Sequence, residues 1–164
     1  MSNLHTLSDV SSDYFFCGSS SMTNALAFGP LLGRPYGGTA LLINNRLASY
    51  TVNLVSIDRF TAVLVGDCLV ISAYMPCSGT SDRVNLYSAI ISELQAIIED
   101  HPQYKLILCA DLNTELDVSS SVSDLVMNFI GSNNLQRNDL LHPTANRCTY
   151  VNESQHVESC IVYY

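Results

Sequence analysis

The residues best suited to chemistry are Asp111 and Asn113, in the stretch Ala110-Asp111-Leu112-Asn113-Thr114. An almost wholly apolar run from Tyr104 to Ala110 stops abruptly at an acid, with an amide two positions later. In extended backbone, residues two apart send their side chains to one face. Strand C-terminal ends are where ligands sit in α/β sheets. A carboxylate there can ligate a hard cation or orient a water, and an amide can donate to a phosphate oxygen. The same spacing also suits a plain turn, in which both side chains hydrogen-bond to nearby backbone. A second strand-to-loop junction is Ser72-Ala73-Tyr74-Met75-Pro76, where the Tyr74 hydroxyl can donate to a phosphate or simply sit at the rim of a core.

These groups need elements to hold them. Tyr14 to Cys17 reads as a short strand, and residues 18–36, rich in Gly, Ser and Pro, as a loop. Thr39 to Ile43 is an unbroken apolar run and predicts a buried strand, followed by a turn at Asn44-Asn45. Val52 to Ile57 alternates and predicts a half-buried strand. Phe60–Val65 and Cys68–Tyr74 flank Gly66-Asp67, a hairpin signal. Met75 to Gly79 is a loop. Tyr87, Ile90, Ile91, Leu94, Ile97 and Ile98 recur at the helical period, predicting a helix over about 81–100 with Thr80 or Ser81 as cap and His101-Pro102 as stop. The Tyr104–Ala110 run predicts a strand covered on both faces. A second helix is predicted over 121–130, with Gly131 ending it. Short strands near Cys148–Tyr150 and Ser159–Tyr164 follow. Hairpins first and a strand-helix-strand unit second imply mixed sheets covered by helices.

Composition narrows the function classes. A chain of 164 residues predicts one domain, 1–164. Charged residues make up only 13%, about half the usual globular share, so some apolar surface is expected to be covered by another segment, a partner or self-association. The net charge is −8, with Lys105 the single lysine, so no basic stripe of the kind that binds nucleic acid tightly is present. Six cysteines show no C-x-x-C spacing, which argues against a zinc site, and they read as reduced thiols of an intracellular protein, in cytoplasm or nucleus. Cys68 and Cys109 lie inside apolar runs and read as small hydrophobes. The opening residues do not form a signal peptide, and no apolar run approaches the length of a membrane span.

Four stretches together carry a family resemblance. Arg34-Pro35-Tyr36-Gly37-Gly38-Thr39-Ala40-Leu41-Leu42 resembles the "GGVAIL" strand of retrotransposon endonucleases. Ile71 to Pro76 is similar to a "VxxYxP" segment, Ala110 to Thr114 to "GDFNT", and Thr149-Tyr150 with Ser159 to Tyr164 to a "TF…SxIDYI" tail. In this order they resemble the endonuclease/exonuclease/phosphatase superfamily, which includes the apurinic/apyrimidinic endonucleases, and most closely its non-LTR retrotransposon (LINE-type) endonuclease domains.

The resemblance implies an α/β fold: a DNase I-like, four-layer sandwich of two mixed β-sheets flanked by helices, here truncated. It implies Mg²⁺-dependent phosphodiester hydrolysis on DNA, with a reverse-transcriptase region in the same polyprotein. Asp111 would orient or deprotonate the attacking water and hold the metal weakly. Asn113 would contact the scissile phosphate, and Tyr74 would bind it too.

The chain also departs from the pattern. The family's first strand bears an Asn and is followed by a metal-binding Glu, and this sequence reads as starting after both. Val162 stands where the tail has Asp, and the sequence stops before the family's "SDH" histidine. His142 and His156 match no motif and read as loop histidines, and Glu115 and Asp117 as solvated acids. The expectation is therefore a domain incomplete at both ends, a partial or degenerate endonuclease-type phosphodiesterase that is inactive alone. Alternatives on the same fold are a non-catalytic binding module and a small-molecule phosphatase relative.

Overall fold

The computed structural model describes residues 11–20, 37–137, 150–152 and 157–159. They fall into two compact units that interleave along the chain, 1–74 with 101–109 and 75–100 with 110–164.

In the first unit, β1 (Tyr14–Ser19) pairs antiparallel with β2 (Thr39–Asn44), from Tyr14 opposite Asn44 to Ser19 opposite Thr39. β1 thus runs two residues beyond the apolar Tyr14–Cys17 run, because Gly18 lets the strands meet closely: a Cβ there would lie 2.5 Å from the Thr39 carbonyl oxygen. β2 is only partly covered, with Leu42 exposed, so its continuous apolar run overstated its burial. Where a turn was expected at Asn44-Asn45, a 3-10 helix runs Asn45–Tyr50, its first turn capped by the Asn44 side chain, which accepts from the Arg46 N–H at 3.0 Å.

β3 (Thr51–Ser56), β4 (Phe60–Val65) and β5 (Cys68–Tyr74) form an antiparallel meander. Gly66 takes φ +60° in the β4–β5 turn, as the Gly-Asp pair predicted. A bulge between Asn53 and Val55 breaks the expected alternation of β3. β4 is buried on both faces from Phe60 to Val63, since the β1–β2 hairpin packs on it. Phe60, Ala62, Val63, Leu69 and Ile71 make the core. Inside it the Thr39 and Thr61 hydroxyls satisfy each other at 2.8 Å, which removes the cost of burying them.

β6 (Lys105–Asp111) is the fourth strand of this sheet, in the order β3-β4-β5-β6. The expectation of cover on both faces fails. Lys105, Ile107 and Cys109 are exposed, while Leu106 and Leu108 are half-buried. Among the described residues β6 ends the sheet, and one of its faces meets water. Cys109 is therefore an exposed thiol, not a core residue; among the described residues Cys17, Cys68 and Cys109 form no disulfide.

In the second unit, α1 (Arg83–Asp100) buries Tyr87, Ile90 and Leu94 along one stripe. It begins two residues later than the Ser81 start, because Asp82 takes φ +54° and cannot join a right-handed helix. α2 (Ser121–Ser132) packs on α1 and buries Val122, Val126, Phe129 and Ile130. Ser120 and Ser123 form a reciprocal capping box at its start. Gly131 does not stop the helix. Asn133 caps it, donating from its carboxamide to the Phe129 carbonyl at 2.9 Å and to Gln95 Oε1 of α1 at 2.7 Å.

β7 (Tyr150–Asn152) and β8 (Val157–Ser159) form an antiparallel pair. The expected loop over 21–36, His142, His156, Cys148, Thr149 and the tail 160–164 with Val162 lie outside the described residues. Among the described residues no helix is long and apolar enough to cross a membrane.

Candidate functional site

β6 hands the chain from its last strand residue, Asp111, to a tight turn. Asn113 sits at φ +49°, left-handed backbone that Asn tolerates better than most side chains. The common face expected of residues 111 and 113 from extended geometry is therefore lost: the strand ends at 111. The turn that the spacing also allowed is what forms, with the Asn113 N–H donating to Asp111 Oδ1 at 3.2 Å. Asp111 is half-buried, and burial pushes its carboxyl above the usual carboxylate range, partly offset by that N–H.

The Asn113 carboxamide is also engaged. Its Nδ2 donates to the Met75 carbonyl at 2.9 Å, and the Met75 N–H donates to the Asp111 carbonyl at 2.9 Å. The loop after β5 and the loop after β6 are thereby tied together within this unit.

Two α1 residues complete the network. Arg83 donates from Nε to the Pro76 carbonyl at 3.1 Å and from Nη2 to both the Asn113 carbonyl and the Tyr87 hydroxyl. Tyr87, wholly buried, donates its hydroxyl to the Leu112 carbonyl. The Arg83 guanidinium also lies over the Tyr87 ring, 5.2 Å from its centroid. Burial raises the Tyr87 phenol above its ordinary value, and the nearby Arg83 charge opposes this.

Sequence reasoning counted Tyr87 among the apolar stripe and did not single out Arg83. Their i, i+4 spacing at the first turn after a motif-bearing loop was the available signal.

Tyr74, the third residue singled out, ends β5 in the first unit. It is half-buried, its N–H donates to the Arg59 carbonyl at 2.8 Å, and the Arg59 guanidinium lies 5.7 Å from its ring centroid.

The resemblance implies a metal at these groups. Among the described residues no three His, Cys, Asp or Glu side chains come together as a metal-holding cluster. Asp111 is the one carboxylate in the turn. Mg²⁺ asks for near-octahedral oxygen, usually one or two carboxylates with waters and phosphates. The described residues alone do not make a magnesium centre.

Comparison of the sequence with protein-family models and with curated proteins finds no match. Solved structures do match in fold. The 3′ phosphatase NExo from Neisseria, bound to a product DNA hairpin, superposes with a TM-score of 0.60 at 14% identity, over 99% of this chain and 81% of that one. The human Nocturnin catalytic domain, with bound sulfate, gives 0.57 at 13% identity, over 98% of this chain and 64% of that one. Humanized D. rerio TDP2 gives 0.52 at 11% identity, over 98% and 63%. This chain thus spans just under two thirds of the latter two. The chain has the α/β, DNase I-like fold of these neighbours, with mixed sheets and helices.

Proposed function

We propose that this chain is a phosphodiesterase-type domain of endonuclease descent, allied to LINE-type retrotransposon endonucleases, that does not cleave phosphodiesters by itself. One observation carries the reading. The Asn113 carboxamide, which the resemblance assigns to the scissile phosphate, commits one of its two N–H donors to the Met75 carbonyl, which fixes it between the two loops. Three further features support it. Asp111 has no second carboxylate in the turn, Val162 replaces the motif's acid, and the net charge is −8. The retrotransposon alliance rests on the four ordered motifs. DNA is the partner class this reading names, with Asp111 as the remaining acid. A reverse-transcriptase frame beside this one in the genome is part of the same reading.

The test is incubation of the purified chain with abasic and plasmid DNA in the presence of Mg²⁺. No cleavage above background is expected. Removing single members of a catalytic set commonly costs orders of magnitude. Cleavage that disappears on Asp111→Ala would overturn the proposal and make the chain a working nuclease.

A further inference from the structure

We propose that Arg83 and Tyr87 are positioning residues: together they clamp the Asp111–Asn113 turn to the Met75–Pro76 loop and set where the turn's side chains point. The proposal rests on the reading that this turn is the functional site, and it assigns a role to two residues that no motif of the sequence marks.

The clamp is built from backbone carbonyls. Arg83 reaches the carbonyls of Pro76 and Asn113, thirty positions apart from the latter, and Tyr87 takes that of Leu112. These three loop carbonyls, of Pro76, Leu112 and Asn113, would otherwise need water, since strand pairing has ended. A guanidinium is the side chain suited to this, because its planar fork presents several donors at fixed angles. Among the described residues Arg83 has no carboxylate partner; the salt bridges there are Lys105–Asp67 and Arg137–Asp117. Its guanidinium donates to neutral oxygens and lies over an aromatic face, which ties the loops together.

Backbone strain marks the same place. Among the described residues three non-glycine residues have positive φ, and of these Asp82 directly precedes Arg83 and Asn113 is the residue whose carbonyl Arg83 holds. Such conformations persist only when surrounding contacts over-determine them. At Asp82 the support is visible: its carbonyl accepts the Leu86 N–H at 3.1 Å, and its Oδ1 accepts from Asn85 Nδ2 at 2.6 Å. At Asn113 the support is Arg83, Met75 and Asp111.

The experiment follows the Asn113 side-chain amide protons by NMR in the full chain, comparing wild type with Tyr87→Phe, Arg83→Met and Arg83→Lys. Tyr87→Phe keeps the buried ring and deletes only the hydroxyl, so it tests the clamp even if the Arg83 variants fold poorly. The Asn113 carboxamide should exchange at least about fivefold faster in Tyr87→Phe, the amount expected for losing one hydrogen bond from a local network, while backbone amides around Leu94 keep their protection. Arg83→Lys should not restore slow exchange, because an ammonium lacks the fork. Unchanged Asn113 exchange in Tyr87→Phe, or a uniform rise across α1, would overturn the clamp. The readout uses no substrate, so its failure is separate from failure of the cleavage test.

Discussion

The Asn113 carboxamide nitrogen and the Met75 carbonyl oxygen lie 2.9 Å apart, thirty-eight positions apart in sequence. The group suited to a phosphate oxygen is the bolt between two loops. Replacing Asn113 removes this bond and also tests its left-handed backbone. Asn113→Ala is expected to lower stability by about 2 kcal/mol, roughly 1 for the hydrogen bond and 1 for the conformation. Asn113→Gly relieves the second part and is expected to cost about 1. Urea denaturation of both variants checks the order; equal losses would show that the backbone conformation contributes nothing.

Asp111 carries a pH signature. Burial holds its carboxyl above the ordinary 3.8, so the folded state binds the proton more tightly than the unfolded chain. Stability from this group is complete below pH 3.8 and drains away as pH rises through the raised value. Asp111→Asn keeps an oxygen to accept the Asn113 N–H and cannot ionise. It is expected to be more stable than wild type at neutral pH and to show no such gain below pH 3.8. Denaturation midpoints across that range decide it.

At Gly18 the backbones of β1 and β2 approach closely. An added Cβ would meet the Thr39 carbonyl oxygen at 2.5 Å and the Ala40 Cα at 2.8 Å, both backbone. Gly18→Ala is therefore expected to cost about 1–3 kcal/mol, the range for overpacking that moves backbone. A stability within 0.5 kcal/mol of wild type, roughly the noise of surface substitutions, would mean that the strands separate freely.

The first unit presents an apolar groove of about 290 Å³ whose lining includes Leu41, Leu42, Leu47, Val70 and Ile107. Leu42, Leu47 and Ile107 are each more than two-fifths exposed. Ile107→Lys at the rim of β6 is expected to leave stability nearly unchanged and to shift any concentration-dependent association toward monomer. Size-exclusion chromatography at several concentrations, beside urea denaturation, measures both.

Much of this architecture was legible because its causes are local. Gly66-Asp67 between two apolar runs gives a hairpin because a glycine permits the positive φ that the turn needs. The stripe Tyr87, Ile90 and Leu94 gives α1 because those positions share one helical face. The Ala110–Thr114 stretch was legible as the end of a strand because an apolar run breaks there into Asp and Asn.

Other features were decided only by the tertiary structure. The cover on β6 depends on which elements lie against it, and Ile107 and Cys109 face water although their own sequence reads as core. Asp111 and Asn113 share a face only if the strand continues, and it ends because Asn113 turns left-handed. What the Asn113 amide bonds to, and that Arg83 and Tyr87 hold the same turn, depends on residues twenty-five to thirty-eight positions away. Composition and periodicity report the preferences of a residue and its near neighbours. A hydrogen bond across such distances forms only after the chain has packed, so its partner is set by the fold.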